Sequence, residues 1–297
     1  MTAAIPTSQP HKSTNVRPTS VTLRGVRLVF RSLGRTAPRL AGRLAARIFF
    51  RTQRFPQPAR ERAALASAAP HTLWRGRGER LAWWSWGESG PTVLLVHGWS
   101  GRGGQLVGFV EPLLAAGYRV ATFDAVGHGA SSGTQATLID IAEDIRRVAA
   151  ETGPIHAIVA HSAGGPSSAL ALLSGVSAAR VVLVAPPLSA VHFLDGFSQL
   201  VGVEGEAKDT LRALVEARVG VDFDELDMRH LAGAMNVDML VIHDEDDRDV
   251  PLASGVAVAN AFDAELIVTD GLGHHRILRD AQVIDTIVRF INQEDST

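Results

Sequence analysis

The sequence contains no cysteine. Disulfide frameworks, thiolate metal sites and cysteine nucleophiles are therefore excluded. It also lacks any run of the roughly 18 to 20 apolar residues that a membrane-spanning helix needs. The first residues have no continuous apolar stretch of the kind a secretory signal requires, so the chain is expected to be soluble and cytoplasmic. Acidic residues are nearly missing from the first 65 positions, where Lys12 and twelve arginines face Glu61 alone, a net of +12. The remaining 16 basic and 30 acidic residues leave positions 66–297 at −14, so the overall charge of −2 conceals two regions of opposite sign. No aromatic residues interleave with the arginines as a stacking platform, and the acidic remainder would repel a polyanion. No nucleic-acid partner is expected.

With 297 residues, 46% of them apolar and 20% charged, the chain can build one main domain and an appendage. Residues 1–65 read as a basic extension, partly disordered and partly helical. The first twenty residues, rich in Thr, Ser and Pro, are expected to be disordered. From Val21 to Phe55 the pattern is helical, interrupted at Pro38, which can occupy a first helical position with Thr36 as its cap. Arg27, Arg31, Arg35, Arg39, Arg43, Arg47 and Arg51 recur every fourth residue, with Leu40, Leu44 and Ile48 beside them. On a helix this is an arginine stripe flanking an apolar one. It admits three readings: a helix pair docked on the acidic domain, a peripheral membrane contact through residues 21–55, or a targeting presequence.

Residues 66–297 alternate strand-like with helical segments. "TLWRG" and "LAWWSW" form an N-terminal hairpin; "TVLLVHG", "RVATFDA", "IHAIVAH", "RVVLVAP", "DMLVIHD" and "ELIVTD" follow, separated by helices. Near-continuous Val, Ile and Leu runs are how strands covered on both faces read. The pattern predicts a doubly wound, mostly parallel α/β sheet with a small helical cap inserted at about 188–235.

Reactive side chains in such sheets belong at the carboxyl ends of strands. Ser162 stands there, after "IHAIVA", with Ala160 two residues before and Gly164 two after. Small residues at both positions let a sharp strand-to-helix turn project the hydroxyl, a variant of the G-x-S-x-G elbow. An alcohol is a weak nucleophile until a base takes its proton, so a histidine and an orienting acid are required further along the chain. "GLGHHRIL" supplies His274, which directly follows a Gly-x-Gly turn, with His275 as the competing candidate. In "VIHDEDDRDVP" the acids Asp244, Glu245, Asp246, Asp247 and Asp249 compete. Asp247, four residues after His243 and three before Val250, is the choice. The order Ser162, Asp247, His274 is the one this fold requires.

From about Trp74 to Phe290 the chain resembles the α/β-hydrolase superfamily, in its simple "HGW" esterase and lipase-like branch. The resemblance rests on four blocks in order: "LLVHGWSG", "FDAVGHGAS", "AHSAGG", and "HDEDDRDVP" followed by "GLGHHRIL". It implies Ser162 as nucleophile, His274 as base and Asp247 as acid, although Asp244 replaces the glycine common in the last block. It further implies an oxyanion hole formed by the backbone N–H groups of Ala163 and of Trp99, the residue after His-Gly. Asp124, His128 and their neighbours, and likewise His97 and His161, are expected to be scaffold. Neither Gly-rich segment has dinucleotide-binding spacing, and no cofactor or metal is expected. Phe193, Leu194, Phe197 and Leu200 of the cap are candidates for an acyl pocket or for packing. The resulting expectation is a serine hydrolase acting on a small-molecule ester. Thioesterase, amidase, peptidase and acyltransferase activities, and a non-catalytic hydrolase-like module, are the alternatives. Dehalogenases and epoxide hydrolases of this fold carry aspartate at the elbow, where this chain has serine.

Overall fold

The computed structural model describes residues 20–293. The segment expected to be disordered lies, except for its last residue, outside them. The apolar runs form strands β1 (Ala69–Trp74), β2 (Arg80–Trp86), β3 (Thr92–Val96), β4 (Arg119–Asp124), β5 (Ile155–His161), β6 (Arg180–Val184), β7 (Asp238–Asp244) and β8 (Glu265–Thr269). These join in one sheet of order β1-β2-β4-β3-β5-β6-β7-β8. The β1–β2 and β2–β4 pairings are antiparallel and all others parallel. Side chains alternate across the sheet, as strand geometry requires. Leu94 and Val96 enter the core on one face, Val93 and Leu95 the core on the other. Both faces are covered, which is why the strands read as unbroken aliphatic runs.

Twelve α-helices complete the described chain. α1 (Ser20–Thr36), α2 (Pro38–Phe49) and α3 (Ala59–Ala66) precede the sheet, and α4 (Val110–Ala115), α5 (Leu138–Thr152) and α6 (Gly164–Leu173) connect its central strands. Between β6 and β7 lie α7 (Ala190–Val201), α8 (Glu206–Val219) and α9 (Met228–Ala232); α10 (Leu252–Ala261), α11 (Gly273–Arg276) and α12 (Ala281–Ile291) follow. Helix α5 opens on a capping box, in which Thr137 accepts from the Asp140 N–H while the Asp140 carboxylate accepts from the Thr137 N–H. The break at Pro38 differs from expectation. α1 runs through Thr36, whose hydroxyl bonds back to the Ser32 carbonyl, and Ala37 occupies the cap position without a side-chain bond. Proline at the first helical position removes one N–H that would have had no helical acceptor, and its fixed φ suits the start of a helix.

The helices before the sheet pack on those inserted after β6. Phe30, Ala41, Ala45, Ala46 and Phe50 share one apolar cluster with Leu194, Leu211, Val215 and Phe223. α2 meets α8 through small residues: a Cβ on Gly42 would lie 2.5 Å from Thr210 Cβ and 2.6 Å from the Ala207 carbonyl oxygen. After α2 the chain runs extended across the carboxyl end of the sheet. There Thr52 Oγ1 donates to the Gly127 carbonyl at 2.6 Å, and Arg54 donates to the carbonyls of Gly129, Ser131 and Gly133 at 2.6 to 2.9 Å. Among the described residues no helix is long and apolar enough to cross a membrane.

Candidate active site

β5 delivers Ser162 to the carboxyl edge of the sheet with φ = 51°, a left-handed conformation that a non-glycine residue adopts at a cost. Its N–H donates to the Val184 carbonyl at 2.9 Å, and its own carbonyl accepts from the Gly165 N–H at 2.8 Å, so the bend is held from both sides. The small-residue requirement is literal. A Cβ on Gly164 would sit 2.8 Å from the His97 carbonyl oxygen, and one on Gly98 would sit 2.8 Å from Ser162 Cβ. The latter distance sets the loop after β3 directly against the serine.

The loop after β7 presents Asp247, and the loop after β8 presents His274. His274 Nδ1 lies 2.7 Å from Asp247 Oδ2, so a proton on Nδ1 is donated to the carboxylate and Nε2 is left as the basic nitrogen. The other Asp247 oxygen accepts from the N–H groups of Asp249 (2.8 Å) and Val250 (2.9 Å). Burial opposes ionisation of Asp247, but the hydrogen bond and charge of His274 and the two amides outweigh it. The carboxyl is held below its ordinary value.

Asp244 has a different place. It accepts from the N–H groups of Leu272 (3.0 Å) and Gly273 (2.7 Å), from Thr269 Oγ1 (2.7 Å) and from the Asp246 N–H (3.1 Å). It thus pins the loop that carries His274 without touching the imidazole. Glu245, Asp246 and Asp249 are exposed. His275 points toward exposed Asp249, with Nε2 3.8 Å from its carboxylate.

Ser162 makes no side-chain hydrogen bond among the described residues. Catalytic hydrogen bonds commonly close only when substrate is bound. The histidine and serine loops are nevertheless joined, because His161, the residue before Ser162, donates Nε2–H to the His274 carbonyl at 2.9 Å. The remaining histidines serve as struts. His97 donates Nδ1–H to the Gly98 carbonyl (2.7 Å) and accepts from the Ala125 N–H at Nε2 (2.9 Å); burial lowers its pKa to about 4. His128 donates to the Val126 carbonyl, and burial takes its pKa to about 3. Asp124 accepts from the N–H groups of Gly103 (2.8 Å) and Ala130 (2.7 Å), fastening the "DAVGHGAS" turn to the segment after Trp99.

Trp99 and Ala163 both line a cavity of about 350 Å³. Its walls come from the inserted helices (Phe193, Phe197, Leu200) and from Phe49 and Phe50 at the end of α2. Leu194 instead is buried in the cluster shared with the N-terminal helices. Among the described residues no group of three or more histidine or acidic side chains is arranged to hold a metal ion.

Several supporting residues escape a reading of motifs. Gln53 donates its N–H to Ser100 Oγ at 3.0 Å, and Glu61, fully buried, pairs with Arg102 at 2.6 Å, so the extension grips the loop carrying Trp99 at two points. His243, also buried, donates Nε2–H to the Val250 carbonyl at 2.9 Å and braces the turn of Asp247. His243 stands in the motif that carries Asp247 and Glu61 is the one acid among the first 65 residues, whereas nothing in the sequence marks Gln53.

Residues 91–217 match the sequence profile described as the alpha/beta hydrolase fold. No curated protein matches the chain in sequence. Among solved structures, an esterase from Exiguobacterium antarcticum is similar with a TM-score of 0.59 and 18% identity, over 76% of this chain and 100% of its own. An esterase of Pyrococcus furiosus gives 0.61 and 17%, over 81% and 98%. The thioesterase domain from the curacin biosynthetic pathway gives 0.57 and 18%, over 76% and 100%. Identities this low speak for the fold alone. Together with the strand order and the strained serine at the end of β5, they identify this chain as a protein of the α/β-hydrolase fold.

Proposed function

We propose that the protein is a serine hydrolase that cleaves carboxylic esters of small or medium acyl groups through Ser162, His274 and Asp247. The observation that carries this reading is the 2.7 Å contact between His274 Nδ1 and Asp247 beside a serine held at φ = 51°. In the first half-reaction His274 Nε2 takes the Ser162 proton as Oγ attacks the ester carbonyl. The N–H groups of Trp99 and Ala163 donate to the oxyanion, and His274 returns the proton to the departing alcohol. Water then attacks the acyl-enzyme with His274 again as base, and the acid leaves. Asp247 fixes the imidazole tautomer and stabilises the imidazolium.

The acyl group would occupy the apolar cavity that Trp99 and Ala163 border. Its volume of about 350 Å³ falls at the small end of the range for ligand pockets, which favours short or medium chains. A thioester is the second reading, supported by the similarity to a thioesterase domain, and it needs the same acyl-enzyme. Replacing Ser162 with Ala is expected to cut turnover of a p-nitrophenyl ester by up to about 10⁶-fold, and to abolish labelling by a fluorophosphonate. An unchanged rate sinks the assignment. A wild-type chain that takes no label points instead to a non-catalytic module.

A further inference from the structure

Neither the fold nor the proposed chemistry uses the outer face of α1 and α2. α2 turns Ala41, Gly42, Ala45 and Ala46 inward and its large side chains outward, leaving Leu40, Leu44 and Ile48 at 48%, 37% and 41% exposure. On α1, Leu28 and Val29 are 68% and 61% exposed. The same two helices carry Arg24, Arg31, Arg35, Arg39, Arg43 and Arg47, all exposed. Among the described residues only Arg39 of the six has a carboxylate within 4.0 Å, that of Glu206 at 3.1 Å.

Rows of unpaired like charges repel one another, and exposed aliphatic rows gain nothing in water. Interleaved guanidinium groups and branched aliphatics match one environment, the boundary between headgroups and acyl chains of an anionic bilayer. There the aliphatics enter the apolar layer while the arginines extend to phosphates. We infer that the outer face of α1 and α2 docks on an anionic lipid surface. The charge distribution sets the orientation, because residues 66–297 carry −14 and are repelled by that surface. An acidic protein partner would account for the arginines alone and leave the aliphatic rows unexplained. Beside this face, α1 also touches the wall of the cavity through half-buried Arg27. Arg27 Nε donates to the Leu200 carbonyl at 2.8 Å, and Leu200 both lines the cavity and is 45% exposed. The surface rests on exposure and charge, and stands whether or not the hydrolase reading does.

Co-sedimentation of the full chain with vesicles tests the inference. At 0.1 M salt the chain is expected to bind 4:1 phosphatidylcholine–phosphatidylserine vesicles at least tenfold more tightly than pure phosphatidylcholine. The triple variant Arg35→Gln, Arg43→Gln, Arg47→Gln should lose about 10²-fold in affinity, at roughly fivefold per arginine near a charged surface. A second variant, Leu40→Ser, Leu44→Ser, Ile48→Ser, should also bind more weakly while remaining folded by circular dichroism, since each side chain is partly open to solvent. The inference is overturned if the full chain stays in the supernatant with anionic vesicles, or if the arginine variant binds as the parent does. It is equally overturned if the full chain self-associates without lipid and the variants merely dissolve that oligomer.

Discussion

The loops at the carboxyl end of the sheet and the helical arm that covers them are held by different forces. The loops are fixed by directional bonds: Asp244 takes four donors, Asp247 takes three, and four buried histidines serve as struts. The arm is fixed by close apolar contact of alanines and a glycine on α8, with its charges turned to solvent. Such directional bonds place atoms to a fraction of an ångström, an accuracy that the proposed imidazole chemistry would demand. Apolar contact fixes only proximity, which suffices for a cover and leaves the outer surface free for another task.

The sharpest way to break this comparison is to interchange the roles of the two buried aspartates. Asp247→Asn keeps the shape but removes the acceptor that sets the His274 tautomer. On the proposed mechanism it should lower turnover by about 10⁴-fold with little loss of fold. Asp244→Asn weakens the bonds to Leu272, Gly273 and Thr269, so it should lower the unfolding midpoint and affect turnover far less. Ester hydrolysis and thermal unfolding measured on both variants decide the matter. A larger kinetic loss in the Asp244 variant would transfer the role of the acid.

Of the contacts that join the two regions, one is a buried ion pair. Glu61 on α3 is fully buried against Arg102, three residues beyond Trp99. Glu61→Gln leaves a guanidinium buried without its counter-charge, and breaking such pairs typically costs about 3 kcal/mol or more. The unfolding midpoint should fall accordingly, and ester turnover with it, because the proposed oxyanion donor sits on the gripped loop. An unchanged midpoint would show that arm and site are independent.

The strands and the elbow were legible because their causes are local. Aliphatic runs report burial on both faces, and the small residues at 160 and 164 report a steric limit at the turn itself. The choice between Asp244 and Asp247 was narrower, since acids three residues apart on one turn differ only in what they reach. Asp244 is set apart by amides 28 and 29 positions away. Docking of the N-terminal helices on the main domain was one of the three readings the arginine stripe admitted, but the face of α2 that docks was not legible. Hydropathy marks Leu40, Leu44 and Ile48 as the face to bury, but helices approach most closely through small residues, and the facing surface of α8 accepts only those. The grips of Gln53 and Glu61 depend on that docking and so were hidden with it.

A pH series sharpens the comparison further, because the loops are braced by buried imidazoles and the arm is not. His97 has its folded pKa lowered by burial from the usual 6.5 to about 4. The unfolded chain therefore binds the proton more readily, so the stability His97 contributes is intact above pH 6.5 and is lost as pH falls toward 4. By pH 5 the loss from this residue amounts to about 2 kcal/mol. Buried His128, its pKa near 3, adds to this loss as pH falls while buried Asp144, raised to about 7, opposes it, so the His97 contribution is read from the difference between parent and variant in denaturant unfolding at pH 7 and pH 5. His97→Gln should be weaker at pH 7 and less sensitive to acid by the same amount, and an equal pH slope in the variant would place the acid sensitivity elsewhere.

The smallest expected effect bears on the arm itself. Arg39 and Glu206 form its one exposed ion pair, with side chains 80% and 55% accessible, and such pairs contribute at most about 1 kcal/mol, usually less. Arg39→Ala should shift the unfolding midpoint barely beyond measurement error, in contrast to Glu61→Gln a few turns away. The pairing of these two results is informative. If the exposed arginine proves nearly silent while the buried acid is costly, the charge on the outer face adds little to the folded state. A loss above about 1 kcal/mol for Arg39→Ala would instead make the stripe part of what holds the arm down.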